Sequence, residues 1–403
     1  MNTLKFGNGE WYGKKDTILA YNDENSNFKP LPFSFDRDTL ATRVNKDGLI
    51  ETVGSGEPRI DYKDDSKGAL LLEPSRSNLI QHSEAFDSSY WIKDGTVVTS
   101  NSVISPNGSL NADLLTANNG SHINVYKGIP TSSNNYTYSV FLKKGNTNII
   151  QPYIFEVGIG FKTISTINFD NETATITVGD VSLEKYSNGW FKVSMTLDLT
   201  SAVGFTFGIF TESTIGTRNV YAWGAQLEQG SYATSYIPTQ GGAVTRVADS
   251  CEQTPPSGII GQTEGTVLFD YIPFDVSVST SEDTIPLAIS NNGSPSNAIF
   301  LNDYNGSLDL NINLGGVNQA KIQFSSLVAE QRFKIGFAYS LNDLVLYVNG
   351  IQIGIDTSLS LPTCNEIKLN GFTSNVHINK INVNDLKLYN TRLSNAELQA
   401  LTT

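Results

Sequence analysis

Forty Asp and Glu residues against 27 Lys and Arg give this 403-residue chain a formal charge of −13, so carboxylates are the groups most able to do chemistry in it. Cleaving a glycosidic bond takes two of them flanking the bond, ~5–5.5 Å apart in a retaining enzyme. No triplet of carboxylates runs along one strand pattern in the C-terminal part. Glu156, Glu184, Glu212 and Glu228 are scattered through the middle and read as hydrogen-bonded surface groups, while Ser281-Glu282-Asp283 sits in a polar loop. His82, His122 and His377 have no second His or Cys at metal-ligand spacing. Gly54-Ser55-Gly56 lacks the strand-turn-helix elbow of a serine hydrolase. These residues point to a protein that is not an enzyme.

Binding chemistry is better supplied. A sugar ring is recognised by an aromatic face that covers it and by Asn, Asp or Gln side chains that read its hydroxyls. Tyrosines outnumber tryptophans 17 to 4. Trp190 and Trp223 fall inside strand patterns and read as core, whereas Trp11 beside Tyr12 is expected to be exposed or to touch a partner. Tyr126, Tyr153 and Tyr304 lie near expected turns or edges. With Trp11 they form the candidate carbohydrate-binding set. Calcium is the one cofactor with suitable oxygen ligands, in Asn302-Asp303-Tyr304-Asn305-Gly306 with Asp303 as the candidate ligand, and in Asp23-Glu24-Asn25. Ordinary Asx turns account for the same residues.

The elements that must position these side chains are strands. Asn-Gly pairs recur along the chain, and Asn349-Gly350 separates Leu344–Val348 from Ile351–Ile355 as a type I′ hairpin would. Alternating runs such as 136–142, 148–156, 161–169, 190–199 and 220–227 continue the pattern. Pro152 argues for an edge strand or a bulge. Ser394-x-x-Glu397 is a capping box that opens one short helix. The fold class is all-β: antiparallel sandwich or jelly-roll domains in tandem, after an irregular N-terminal segment. That segment spans 1–75 and has short strands near 16–21, 49–53 and 69–72. A first sandwich spans 76–250, a Gly- and Pro-rich linker 251–264, and a second sandwich 265–403. Ala41-Thr42-Arg43-Val44 echoes Val244-Thr245-Arg246-Val247, like two strands bracketing one sandwich.

The acidic balance disfavours nucleic acid, which needs clustered Lys and Arg. No apolar run reaches the ~20 residues of a membrane-crossing helix. The sequence MNTLKFGNGEWYGKK has no apolar signal core, and Cys251 and Cys364 give no disulfide framework. Such a chain suits folding in a reducing cytoplasm and release by lysis.

Two resemblances follow from particular residues. The Leu346-Tyr347-Val348-Asn349-Gly350 hairpin and the later Leu388-Tyr389-Asn390-Thr391-Arg392-Leu393 resemble laminin-G/concanavalin-A-like lectin domains. The pieces Phe35-x-Arg37, Ala41–Asn45, Pro58-Arg59-Ile60-Asp61-Tyr62, Leu70-Leu71-Leu72-Glu73-Pro74 and Asn78-Leu79-Ile80 resemble a segment of tail-fibre and spike-like virion proteins of Bacteroidota bacteriophages. So do Ser83–Phe86 with Trp91, and Trp223–Glu228 through Tyr236–Thr239 to Thr245–Asp249, where a carbohydrate-binding-module-like jelly roll follows that segment. The resemblance implies a virion-surface protein, homotrimeric, that meets other virion proteins and binds host surface polysaccharide without cleaving it. A purely architectural spike and a glycan depolymerase are the alternatives.

Overall fold

The computed structural model describes residues 3–24, 27–117, 124–130, 135–156, 160–178, 180–198, 204–210, 218–255, 258–276, 284–372 and 378–403. His122, Glu212, Ser281-Glu282-Asp283, His377 and the Asp23-Glu24-Asn25 side chains lie outside the described residues. Strands dominate, and the described residues include one α-helix, Asn395–Thr402. Its capping box is formed as expected, with the Ser394 hydroxyl accepting from the Glu397 amide and the Glu397 carboxylate from the Ser394 amide.

Contacts divide the chain into two units. A middle unit comprises Ala41–Thr52 and Arg76–Arg246; a terminal unit comprises Met1–Leu40, Val53–Ser75 and Val247–Thr403.

The middle unit is built on two six-stranded antiparallel sheets. One runs Ile92–Asp94, Asn124–Pro130, Gly204–Phe210, Ile149–Glu156, Gly160–Asn168, Thr173–Val178; the other runs Thr96–Ile104, Leu110–Ala117, Asn219–Gln229, Asn135–Lys144, Trp190–Asp198, Asp180–Lys185. The period of two explains the packing. Tyr136, Tyr138, Val140 and Leu142 enter the main core, while Phe141 faces the other way into a cluster with Trp190, Trp223 and Tyr236. Trp91, Trp190 and Trp223 are buried, as core tryptophans should be. Pro152 corrects the edge-strand expectation. Its strand is interior, bonded to Gly160–Asn168 and Gly204–Phe210, and the register shift falls at Ile154/Phe155 instead. The echoed segments do not pair with each other: Ala41–Val44 pairs with Ile50–Val53, and Val244–Arg246 with Arg76–Asn78.

In the terminal unit one hydrogen-bonded ribbon of strands encloses the main core, with two small clusters beside it around Phe372 and Leu398. Following the pairings, it passes from Ile351–Asp356 to Asp343–Val348, Phe333–Ser340, Glu264–Pro273 and Ile381–Tyr389. It continues through Thr3–Gly7, Thr17–Glu24, Asn27–Asp36 and Ser250–Gln253. Glu366–Leu369, Thr284–Asn291, Ser294–Tyr304, Ser307–Leu314 and Val317–Phe324 complete it. The Asn349-Gly350 turn takes φ values of 47° and 78°, the type I′ conformation that Asn-Gly predicts.

The N-terminal stretch differs most from expectation. Its alternating Leu4 and Phe6, then Ile18 and Ala20, then Leu31, Phe33 and Phe35, place one side of three strands in the terminal unit's core. The residues read as the start of a linker behave likewise: Ser250–Gln253 is a strand, and Cys251 is buried in that core.

The residues that carried the virion resemblance turn out to be buried polar hubs. In the terminal unit, Arg59 donates to Glu73 (2.6 Å) and to Asp249, and Arg37 donates to Asp249 (3.1 Å); all four side chains are fully out of solvent. Burial alone would favour a neutral Arg59, but the charges of Asp249 and Glu73 outweigh it and raise its pKa. In the middle unit Asn78 donates to the carbonyls of Ala225 and Ile237 and accepts from the amides of Ile80 and Leu227. Glu228, expected at the surface, is buried and accepts from Gln226, from the Thr234 amide and from the Thr234 hydroxyl.

Candidate functional site

The first sheet of the middle unit turns Val125, Phe207, Ile209, Ile150, Ile154 and Ile167 into the core. Alternation therefore sends Asn124, Tyr126, Gly208, Gln151, Tyr153, Phe155 and Thr166 to its outer face. Tyr126 and Tyr153 both stand opposite Gly208, one on each neighbouring strand. The glycine makes this possible, because a β-carbon there would lie 2.7 Å from the Tyr153 ring and 2.8 Å from Cβ of Tyr126. Two of the four aromatic residues singled out in the sequence are thus neighbours.

They do different work. Tyr153 is 6% exposed. Its hydroxyl donates to Oδ1 of Asn124 at 2.9 Å, and Phe161 meets its ring edge-on at 5.5 Å. Burial, with Tyr126 and Asp94 close by, pushes its phenol well up from the ordinary value. Tyr153 is therefore the floor of the face and not the open platform expected. The open surfaces are the half-buried Tyr126, the 48%-exposed Phe161 and, opposite Tyr126, the 48%-exposed Ile92. Phe161 also lies edge-on to Phe155 at 5.3 Å. Gln151 donates to the Thr166 hydroxyl at 3.2 Å, which fixes an amide beside the rings. Aromatic surface flanked by amides and hydroxyls suits a polar ligand with apolar faces. Three of the site's members, Asn124, Phe161 and Gly208, were not singled out from sequence. Gly208, inside the apolar run Phe205–Phe210, was the available signal, since a glycine within a strand marks close approach.

The other candidates lie in the terminal unit. Trp11 is half-buried, edge-on to Phe6 at 5.6 Å, and its indole N–H donates to the carbonyls of Lys67 and Gly68. It packs instead of standing free. Tyr304 is half-buried on the outer side of Ser294–Tyr304, next to Lys321. Asp303 follows Ile299 and Leu301 inward, is fully buried and has the Tyr271 hydroxyl at 3.5 Å. It is placed as an internal acceptor and not as a loop ligand. Asn305 and Gly306 beside it take positive φ, the ordinary turn geometry. Among the described residues no group of three or more His, Cys, Asp or Glu is arranged to hold a metal ion. No described helix is long and apolar enough to cross a membrane.

No protein-family model matches the chain, and no curated protein matches it. Among solved structures it overlaps the receptor-binding domain of botulinum neurotoxin C/D mosaic serotype at 12% identity and a TM-score of 0.32. That overlap covers 38% of this chain and 40% of the other. The CBM40 of the Ruminococcus gnavus IT-sialidase, bound to α2,3-sialyllactose, overlaps at 14% identity and a TM-score of 0.30, over 36% of this chain and 84% of that one. The botulinum neurotoxin type G receptor-binding domain gives 10%, 0.29, and 38% of each. At these scores the likeness does not extend beyond strand-rich architecture.

Proposed function

We propose that this chain is a bacteriophage virion-surface protein that binds host cell-surface glycan without cleaving it, through the outer face of the sheet that carries Tyr126 and Tyr153. The observation that carries this reading is the pairing of those tyrosines across Gly208, with Asn124 anchoring one ring and Phe161 extending the exposed aromatic surface. Rings of this kind cover the apolar face of a pyranose, and the amides of Asn124 and Gln151 lie where ring hydroxyls would be read. The virion setting rests on the sequence resemblance, whose residues form a buried polar hub inside each unit. Calcium has no assigned role in this binding.

An isolated shallow face of this size binds near millimolar, about −4 kcal/mol. Useful adhesion then comes from several copies on one particle, where avidity rises by ~10²–10⁴. The test is retention of protein-coated beads on host cells. Wild type should be retained, Tyr126→Ala and Phe161→Ala should not, and stripping the surface polysaccharide should abolish the difference. Release of new reducing ends would favour the depolymerase. Equal retention on stripped and intact cells would favour the architectural spike.

A further inference from the structure

The terminal unit has a second polar face. On the strands Ser294–Tyr304, Ser307–Leu314 and Val317–Phe324, Leu301, Leu310 and Ile322 point into the core, so Asn302, Asp309, Lys321 and Tyr304 point out. Asp309 nevertheless is 1% exposed. Its Oδ2 accepts from Nζ of Lys321 at 2.6 Å, while its Oδ1 is buried and has no hydrogen-bond partner. The Lys321 side chain is 45% exposed, reaches the Tyr304 hydroxyl at 3.4 Å and lies 5.7 Å from the Tyr304 ring centroid. A buried acceptor without a donor is costly, so a hydroxyl that reaches it is bound favourably.

We infer that Asp309, Lys321 and Tyr304 form a second carbohydrate site, one that takes two adjacent hydroxyls of a neutral sugar. The inference rests on the reading above only for the class of ligand. The missing partner of Oδ1 must donate a proton, because a carboxylate only accepts. The ammonium has three donors, two of which are directed to Asp309 and Tyr304, which leaves the third, on a 45%-exposed side chain, open to solvent or to a ligand's acceptor. A vicinal diol offers a donor and an acceptor side by side. An anionic group would meet Lys321 but leave Oδ1 unsatisfied and repelled; a cation would meet Oδ1 but be repelled by Lys321. The Tyr304 ring supplies the adjoining apolar surface. Entry requires the exposed, flexible stem of Lys321 to shift while its head stays near Asp309.

The test uses the full chain with the methyl glycosides of glucose, galactose and mannose at millimolar concentration. Reductive methylation is read lysine by lysine by mass spectrometry. At least one glycoside should slow labelling of Lys321 threefold or more and leave exposed Lys144 and Lys185 unchanged. Asp309→Asn should remove that protection, and Tyr126→Ala should keep it. Lys321→Met, scored by saturation-transfer NMR, should cut the sugar signal and so covers the case in which Asp309→Asn fails to fold. Lys321 labelling that no glycoside alters overturns this site, and if bead retention still depends on Tyr126 the middle-unit reading survives. Protection that persists in Asp309→Asn, or that disappears in Tyr126→Ala, also overturns it.

Discussion

Arg59 and Glu73 meet at 2.6 Å with both side chains wholly out of solvent, and Asp249 binds the same guanidinium from 190 residues further along the sequence. The Glu73 amide also donates to Asp249 at 2.8 Å, so backbone and side chains converge on one carboxylate.

Removing one partner of such a network strands the others as buried charges, which costs about 3–5 kcal/mol. Asp249→Asn is expected to destabilise the terminal unit by that amount, because the buried guanidiniums of Arg37 and Arg59 both lose the Asp249 charge and Arg59 keeps only that of Glu73. Native-state hydrogen exchange at the terminal unit's amides measures it. A loss below about 1 kcal/mol would show that the network is not holding these segments together.

Mild acid is expected to stabilise the protein. Burial first of all raises Asp113 to about 6, against the amide donors of Asn101 and Phe86. An unfolded Asp titrates near 3.9, so between those values the folded chain binds more protons than the unfolded one. Stability must then increase as pH falls from 7 toward 4.5, and burial shifts Glu84 and Asp385 in the same direction. Melting at pH 5 should lie a few degrees above that at pH 7, and Asp113→Asn should flatten the profile. A lower melting temperature at pH 5 would contradict this assignment.

Gly208→Ala tests the tyrosine pair without removing either tyrosine. Its new methyl would press on the Tyr153 ring and on Cβ of Tyr126. Overpacking of this kind costs roughly 1–3 kcal/mol. The expected result is a folded protein with a modestly lower melting point and at least tenfold weaker retention on cells. Undiminished retention would mean that the rings' spacing is irrelevant to binding.

Cys251 and Cys364 are both free and buried, the latter pushed up to about 12 by burial. Neither thiol should react with Ellman's reagent at pH 8 within minutes, and both should react fully in denaturant. Fast labelling of either in the native protein would place it nearer the surface.

Strand content was legible because its signals are local. Asn349-Gly350 dictates its own turn, Ser394 and Glu397 their own cap, and the period of two in residues 136–142 its own burial. Pairing across long separations left no such mark. Nothing near Leu4 indicates that its neighbour is Leu388, and nothing near Cys251 indicates that it pairs with Phe35 and Leu369. The site was half-legible for the same reason. Tyr126 and Tyr153 could be chosen by residue type, but Gly208, which brings them together, comes from a strand far along the chain. Trp11 was misjudged because the carbonyls of Lys67 and Gly68 that bind its indole are distant in sequence.

The strand Thr3–Gly7 is held between Thr17–Glu24 and Ile381–Tyr389, with Leu4 opposite Leu388. During synthesis, then, the strand at residues 3–7 must wait for the one at residues 381–389. The middle unit, whose strands all lie between residues 41 and 246, can close while the ribosome is still working; the terminal unit cannot. Its apolar edge stays open until residues 381–389 have been made, and a ribosome stalled before residue 381 would release a chain with one finished sandwich and one unpaired, aggregation-prone ribbon.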